Sequence, residues 1–124
     1  MKIACAAALL AGLASLVLAD EMPRAPVSDP RPVMVAALQS VNGEAHGILS
    51  GEIADALTQR FAATSPIYID VTTEKRYAQT GCARLNVRFW QDGVLLPGAW
   101  TPRRQTMDFG INYCLDGRPP QSLK

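Results

Sequence analysis

Few residues of this 124-residue chain could carry chemistry. They are one histidine (His46), three cysteines (Cys5, Cys82, Cys114), the carboxylates Asp70, Asp92, Asp108 and Asp116, and a group of arginines and tryptophans between residues 84 and 104. A nucleophilic triad needs a base beside its nucleophile. His46 is the only imidazole, it lies among turn-forming residues near Asn42-Gly43 and Gly47, and the chain has no Gly-x-Ser-x-Gly elbow. A zinc site would have to gather three or four ligands from one His and scattered carboxylates, so no metal or cofactor is expected. The four aspartates could in principle supply the paired carboxyls of a glycosidase. Asp92 and Asp116, however, each precede Gly in turn signals, and Asp70 and Asp108 fall at the polar positions of alternating strands. Phosphate-cradling Gly loops and Ca²⁺ loop patterns are absent. The residues point away from an enzyme.

The cysteines are better explained by the segment that precedes the domain. Lys2 is followed by an apolar run from Ile3 to Leu18, ending Val17-Leu18-Ala19 with small residues where a signal peptidase cuts. This predicts a cleavable secretory signal over 1–19, a mature chain starting at Asp20, and no stable membrane span after cleavage. Cys5 would leave with the signal. Cys82 and Cys114 then form an even pair in an exported, periplasmic or secreted chain, and one disulfide is expected between them. Such a bond closes a 33-residue loop, both ends counted, worth about 3–4 kcal/mol in the chain-entropy picture.

What remains is a candidate surface. Arg84, Arg88 and Trp90 share the parity of one strand face, and Trp100, Arg103 and Arg104 follow in the next connection. Arg and Trp are enriched at binding hot spots, and Arg over Trp can also stack internally. These six residues are the expected contact surface for another protein or an anionic envelope polymer. Without Lys2 the chain has eleven basic and eleven acidic residues, a net charge of zero, which argues against a nucleic-acid partner. The charge is unevenly spread: residues 20–65 carry six acids and three bases, residues 66–124 five acids and eight bases.

The elements that must hold this surface follow from punctuation and period. Residues 20–32 contain Pro23, Pro26, Pro30 and Pro32 and predict an extended arm. Val33 to Leu38 is apolar, with strand and helix start both open. Ile53, Ala56, Leu57, Arg60 and Phe61 recur at helical spacing after Ser50, which predicts one amphipathic helix over 51–63, stopped by Pro66. Beyond Pro66 the period becomes two. Ile67, Ile69 and Val71 mark one strand, Leu85, Val87 and Phe89 a second, Val94-Leu95-Leu96 a third after the Asp92-Gly93 hairpin signal, and Met107, Phe109, Ile111 and Tyr113 the last. Cys82 and Cys114 have the parity opposite to these apolar residues, which puts the sulfurs on the less apolar face or at the frayed strand ends, unless Gly81 breaks the parity through a bulge.

The predicted fold is α+β: one amphipathic helix packed on a mainly antiparallel four-stranded sheet with one disulfide, occupying residues 33–120 and followed by a polar tail, 121–124. The alternative is a small β-sandwich or barrel with an appended helix. Leu57 and Phe61 are expected to pack against Ile69, Val71, Leu85, Val87, Phe89, Phe109 and Ile111. The expected function is that of a small exported, non-enzymatic protein-binding module. Its partner would be another envelope protein or complex, and its setting an accessory role in an envelope-spanning secretion or conjugation system. The alternative is a periplasmic inhibitor or ligand-binding module acting on a hydrolase or cell-wall polymer.

Overall fold

The structure is a computed structural model and describes residues 23–124. The expected signal, 1–19, and the mature N-terminus at Asp20 lie outside the described residues. In chain order the elements are β1 (Ala25–Val27), α1 (Arg31–Gln39), β2 (Glu44–Leu49), α2 (Glu52–Arg60), β3 (Ile67–Arg76), β4 (Cys82–Val94) and β5 (Arg103–Cys114). The five strands form one sheet in the order β1-β2-β3-β4-β5, with β1 parallel to β2 and all other neighbours antiparallel. No described helix is long and apolar enough to cross a membrane.

The α+β class and the Cys82–Cys114 disulfide stand; the expected count of one helix and four strands does not. The undecided run at 33–38 lies in α1, whose buried face is Val33, Met34, Ala37 and Leu38. Pro32 is tolerated there because the first-turn amide has no intrahelical acceptor. The Asp29 carboxylate accepts the Arg31 amide at 2.9 Å just before the helix. α1 is the crossover that lets β1 lie parallel to β2, so part of the expected arm is an edge strand of the sheet. Gly47, expected to mark a turn, sits inside β2. A Cβ there would approach Val33 Cγ2 to 2.7 Å, so glycine is what lets α1 pack onto the strand.

Asp92-Gly93 is likewise no hairpin. β4 runs through it to Val94 with a register shift between Gln91 and Val94, and the strand expected at 94–96 disappears. The left-handed Gly93 (φ 67°) forms this bulge. It is fixed from outside the strand: the Asp92 carbonyl accepts the Thr64 amide at 3.0 Å, and its carboxylate accepts Arg104 Nε at 2.6 Å. The chain reverses later, at Pro97-Gly98, where Ala99 donates to the Leu96 carbonyl at 3.0 Å.

The core lies between α1 and one face of the sheet. Val33, Met34, Ala37 and Leu38 pack on Ile69, Val71, Ala83, Leu85 and Val87. The predicted helix α2 does not make this core. Ile53 is 77% exposed and Leu57 38%. α2 is tied down near its C-terminal end by polar contacts instead: buried Gln91 donates from Nε2 to Thr58 Oγ1 at 2.8 Å and to the Ser65 carbonyl at 2.9 Å. The tail returns to the β3–β4 turn, where Ala78 donates to the Lys124 carbonyl at 2.8 Å.

Candidate functional site

The register assigns every strand residue to one of two faces. On β4, Ala83, Leu85, Val87, Phe89 and Gln91 face the helices, and Arg84, Asn86, Arg88 and Trp90 face the other way. Cys82 and Cys114 are direct cross-strand partners on that outer side, with Cα atoms 4.0 Å apart. Arg84, Arg88 and Trp90 of the expected surface therefore do share a face, and Arg104 joins them from β5. Trp100 stands alone at the tip of the β4–β5 loop, 98% exposed. Arg103 opposes Val94 at the start of β5.

The arginines of this outer face are already engaged. Arg88 and Asp108 form a two-bond pair (Nε to Oδ1 2.8 Å, Nη2 to Oδ2 3.2 Å), and Arg104 and Asp92 another (2.6 and 3.2 Å). Arg84 reaches Glu74 Oε2 at 3.2 Å. Trp90 is covered by Arg104, whose guanidinium carbon lies 4.3 Å from the ring centroid, and by Tyr68 at 4.4 Å. Exposed pairs of this kind contribute little each, but they neutralise the charge that an anionic polymer would need.

Asp70 on β3 is the hub of the face, which sequence reasoning missed. Its Oδ1 accepts from His46 Nδ1 at 2.6 Å and from Arg24 Nη1 at 2.9 Å, and its Oδ2 from Trp90 Nε1 at 2.7 Å. An ionised carboxylate can only accept, so His46 carries its hydrogen on Nδ1. Partial burial pushes the Asp70 carboxyl upward, and the hydrogen bonds from His46, Trp90 and Arg24 outweigh it and hold the group below its ordinary value. Arg24 also donates from Nη1 to the Gly47 and Ile69 carbonyls at 3.2 Å each, so it pins β1 to β2 and β3. His46 thus sits on a strand and not in a turn, oriented as in a dyad. No described hydrogen bond reaches its other ring nitrogen, and no described group of three or more His, Cys, Asp or Glu side chains could hold a metal.

The helix face of the sheet offers something different. α1 covers only one end of it. At the other end an open groove of about 480 Å³ has Phe89, Met107 and Phe109 as its floor and Leu57, Phe61 and Leu96 as its wall. Met107 is 59% exposed and Phe109 44%. Leu96, Val94 and Gln105 also line a second concavity with Trp100 and Arg103, so the apolar surface continues from the groove to the loop tip. From the sequence, Phe109 is expected to be covered by Leu57 and Phe61 of the predicted helix; α2 stands beside it as a wall and leaves it 44% exposed.

Comparison with protein-family models, with curated proteins and with solved structures finds no match.

Proposed function

We propose that the chain is an exported, non-enzymatic module that binds another protein of the cell envelope, as an accessory of a secretion or conjugation apparatus. The observation that carries binding is the uncovered apolar end of the sheet. A surface of Phe89, Met107, Phe109, Leu57, Phe61 and Leu96 that continues to a fully exposed Trp100 is costly in water and marks an interaction site. Export is supported by the Lys2-to-Ala19 layout and by the disulfide, which forms in oxidising compartments such as the periplasm. The internal ion pairs of Arg84, Arg88 and Arg104 favour this surface over the arginine face, which lies on the opposite side of the sheet.

Replacing a central aromatic anchor commonly costs 2 kcal/mol or more of binding, about thirtyfold in affinity. Trp100→Ala is expected to lose the partner by that margin at unchanged melting temperature, and Leu57→Glu to lose it with a modest fall in melting temperature, while Arg84→Glu/Arg88→Glu retains it. The reverse pattern would transfer the contact to the arginine face.

A further inference from the structure

The two edges of the sheet are built differently. β1 is three residues long and contains Pro26, which blunts it against further pairing. β5 is twelve residues long, has no proline, and is in continuous register with β4 from Gln105 to Cys114. The direction of its backbone groups follows from its end. The Cys114 amide donates away from β4 to the Arg118 carbonyl at 3.1 Å, and the Leu115 amide donates toward β4 to Gly81 at 2.9 Å. Alternation then sends the amides and carbonyls of Arg104, Thr106, Asp108, Gly110 and Asn112 outward. None of these groups has a backbone or side-chain partner among the described residues. A long edge without proline, whose outward amides and carbonyls are unpaired, is a template for another strand.

The side chains on this edge say which strand fits. Met107, Phe109, Ile111 and Tyr113 project on the helix side; the three without a polar group, Met107, Phe109 and Ile111, are symmetric about Phe109, and Tyr113 then falls opposite Gln105 of the second copy. When the strand is laid antiparallel against a copy of itself with Phe109 on the two-fold axis, Phe109 meets Phe109 of the second copy and Met107 meets its Ile111. The outward residues then fall into hydrogen-bonded pairs, Thr106 with Asn112 and Asp108 with Gly110. No charged residue opposes a like charge, whereas centring on Asp108 would set two carboxylates face to face. Cross-strand aromatic and apolar pairs of this kind are what stabilise a sheet. Because β1 is blunted, addition stops at two copies and the contact closes on itself.

We infer that two copies of this chain pair antiparallel along β5, with Phe109 on the two-fold axis, to form one ten-stranded sheet. The pairing goes beyond the partner-binding role: its hydrogen bonds run along the strand edge, and it joins the two groove floors through Met107 and Phe109 into one apolar trough across the axis.

The test is the solution mass of the exported chain by light scattering, from nanomolar to submillimolar concentration. A dimer is expected for the wild type and a monomer for Thr106→Pro, whose lost amide points outward and serves no bond within the fold, so its circular dichroism and melting should not change. Phe109→Cys is expected to give a covalent dimer on oxidation, because only this position faces itself, and Met107→Cys is not. A wild type that stays monomeric throughout overturns the inference, as does a dimer that survives Thr106→Pro or cross-links through Met107→Cys in preference to Phe109→Cys. Partner capture that depends on Trp100 is read separately, so the two ideas can fail independently.

Discussion

Asp70 shows how much a single residue can organise on a face that looks, residue by residue, like ordinary solvated sheet. Three donors from three separate places, Arg24 before β1, His46 on β2 and Trp90 on β4, converge on one carboxylate. Its carboxyl is held below the ordinary value in the folded chain. Ionised Asp70 therefore contributes stability at pH above the free carboxyl's range, about 4, and that contribution is lost as pH falls through the lowered folded value. Asp70→Asn is expected to melt below the wild type near neutral pH, and the gap is expected to shrink progressively as the pH falls below the free carboxyl's range. Parallel melting curves for the two proteins across this range would mean that the carboxylate is not what the donors hold. The alternation Ile69-Asp70-Val71 made the facing of Asp70 legible. Its partners were not, because they come from residues 24, 46 and 90, and only the strand register brings those together.

At the scale of elements, local period and tertiary role came apart. The amphipathic pattern of 53–61 identified α2 well, and the parity of Cys82 and Cys114 located their disulfide on the outer face. A helical stripe does not say what it faces, however, and α2 is held by Gln91 and Thr58 while α1 fills the core. α1 stayed hidden behind Pro30 and Pro32, which signal an extended chain as readily as a helix start. Asp92-Gly93 carried the chemistry of a hairpin but serves as a bulge, because Thr64 and Arg104 hold it open from other elements. The division of labour is measurable. Met34→Ala or Leu38→Ala should cost about 2–5 kcal/mol in denaturant unfolding, as buried truncations do. Leu57→Ala should cost well under half of that, since the side chain is already 38% exposed. Equal losses would restore α2 as the core helix.

For the molecule as a whole, the sheet is finished on one face by a network of pairs and stacks and left unfinished on the other. Half of the helix face is closed by α1; the remaining half exposes Met107 and Phe109 beside an exposed Trp100. A chain with no charge excess beyond Lys2 has little long-range field to attract a partner, so apolar contact is what this surface has to offer. The most direct measurement is photo-crosslinking in the living cell from single positions bearing a benzophenone side chain. Leu57, Leu96 and Trp100 probe the groove, and Glu74 and Asn86 probe the outer face. One discrete envelope protein, identified by mass spectrometry, is expected to be joined from the groove positions and not from the outer ones. The same protein captured from Glu74 and Asn86, with the groove positions silent, would contradict it.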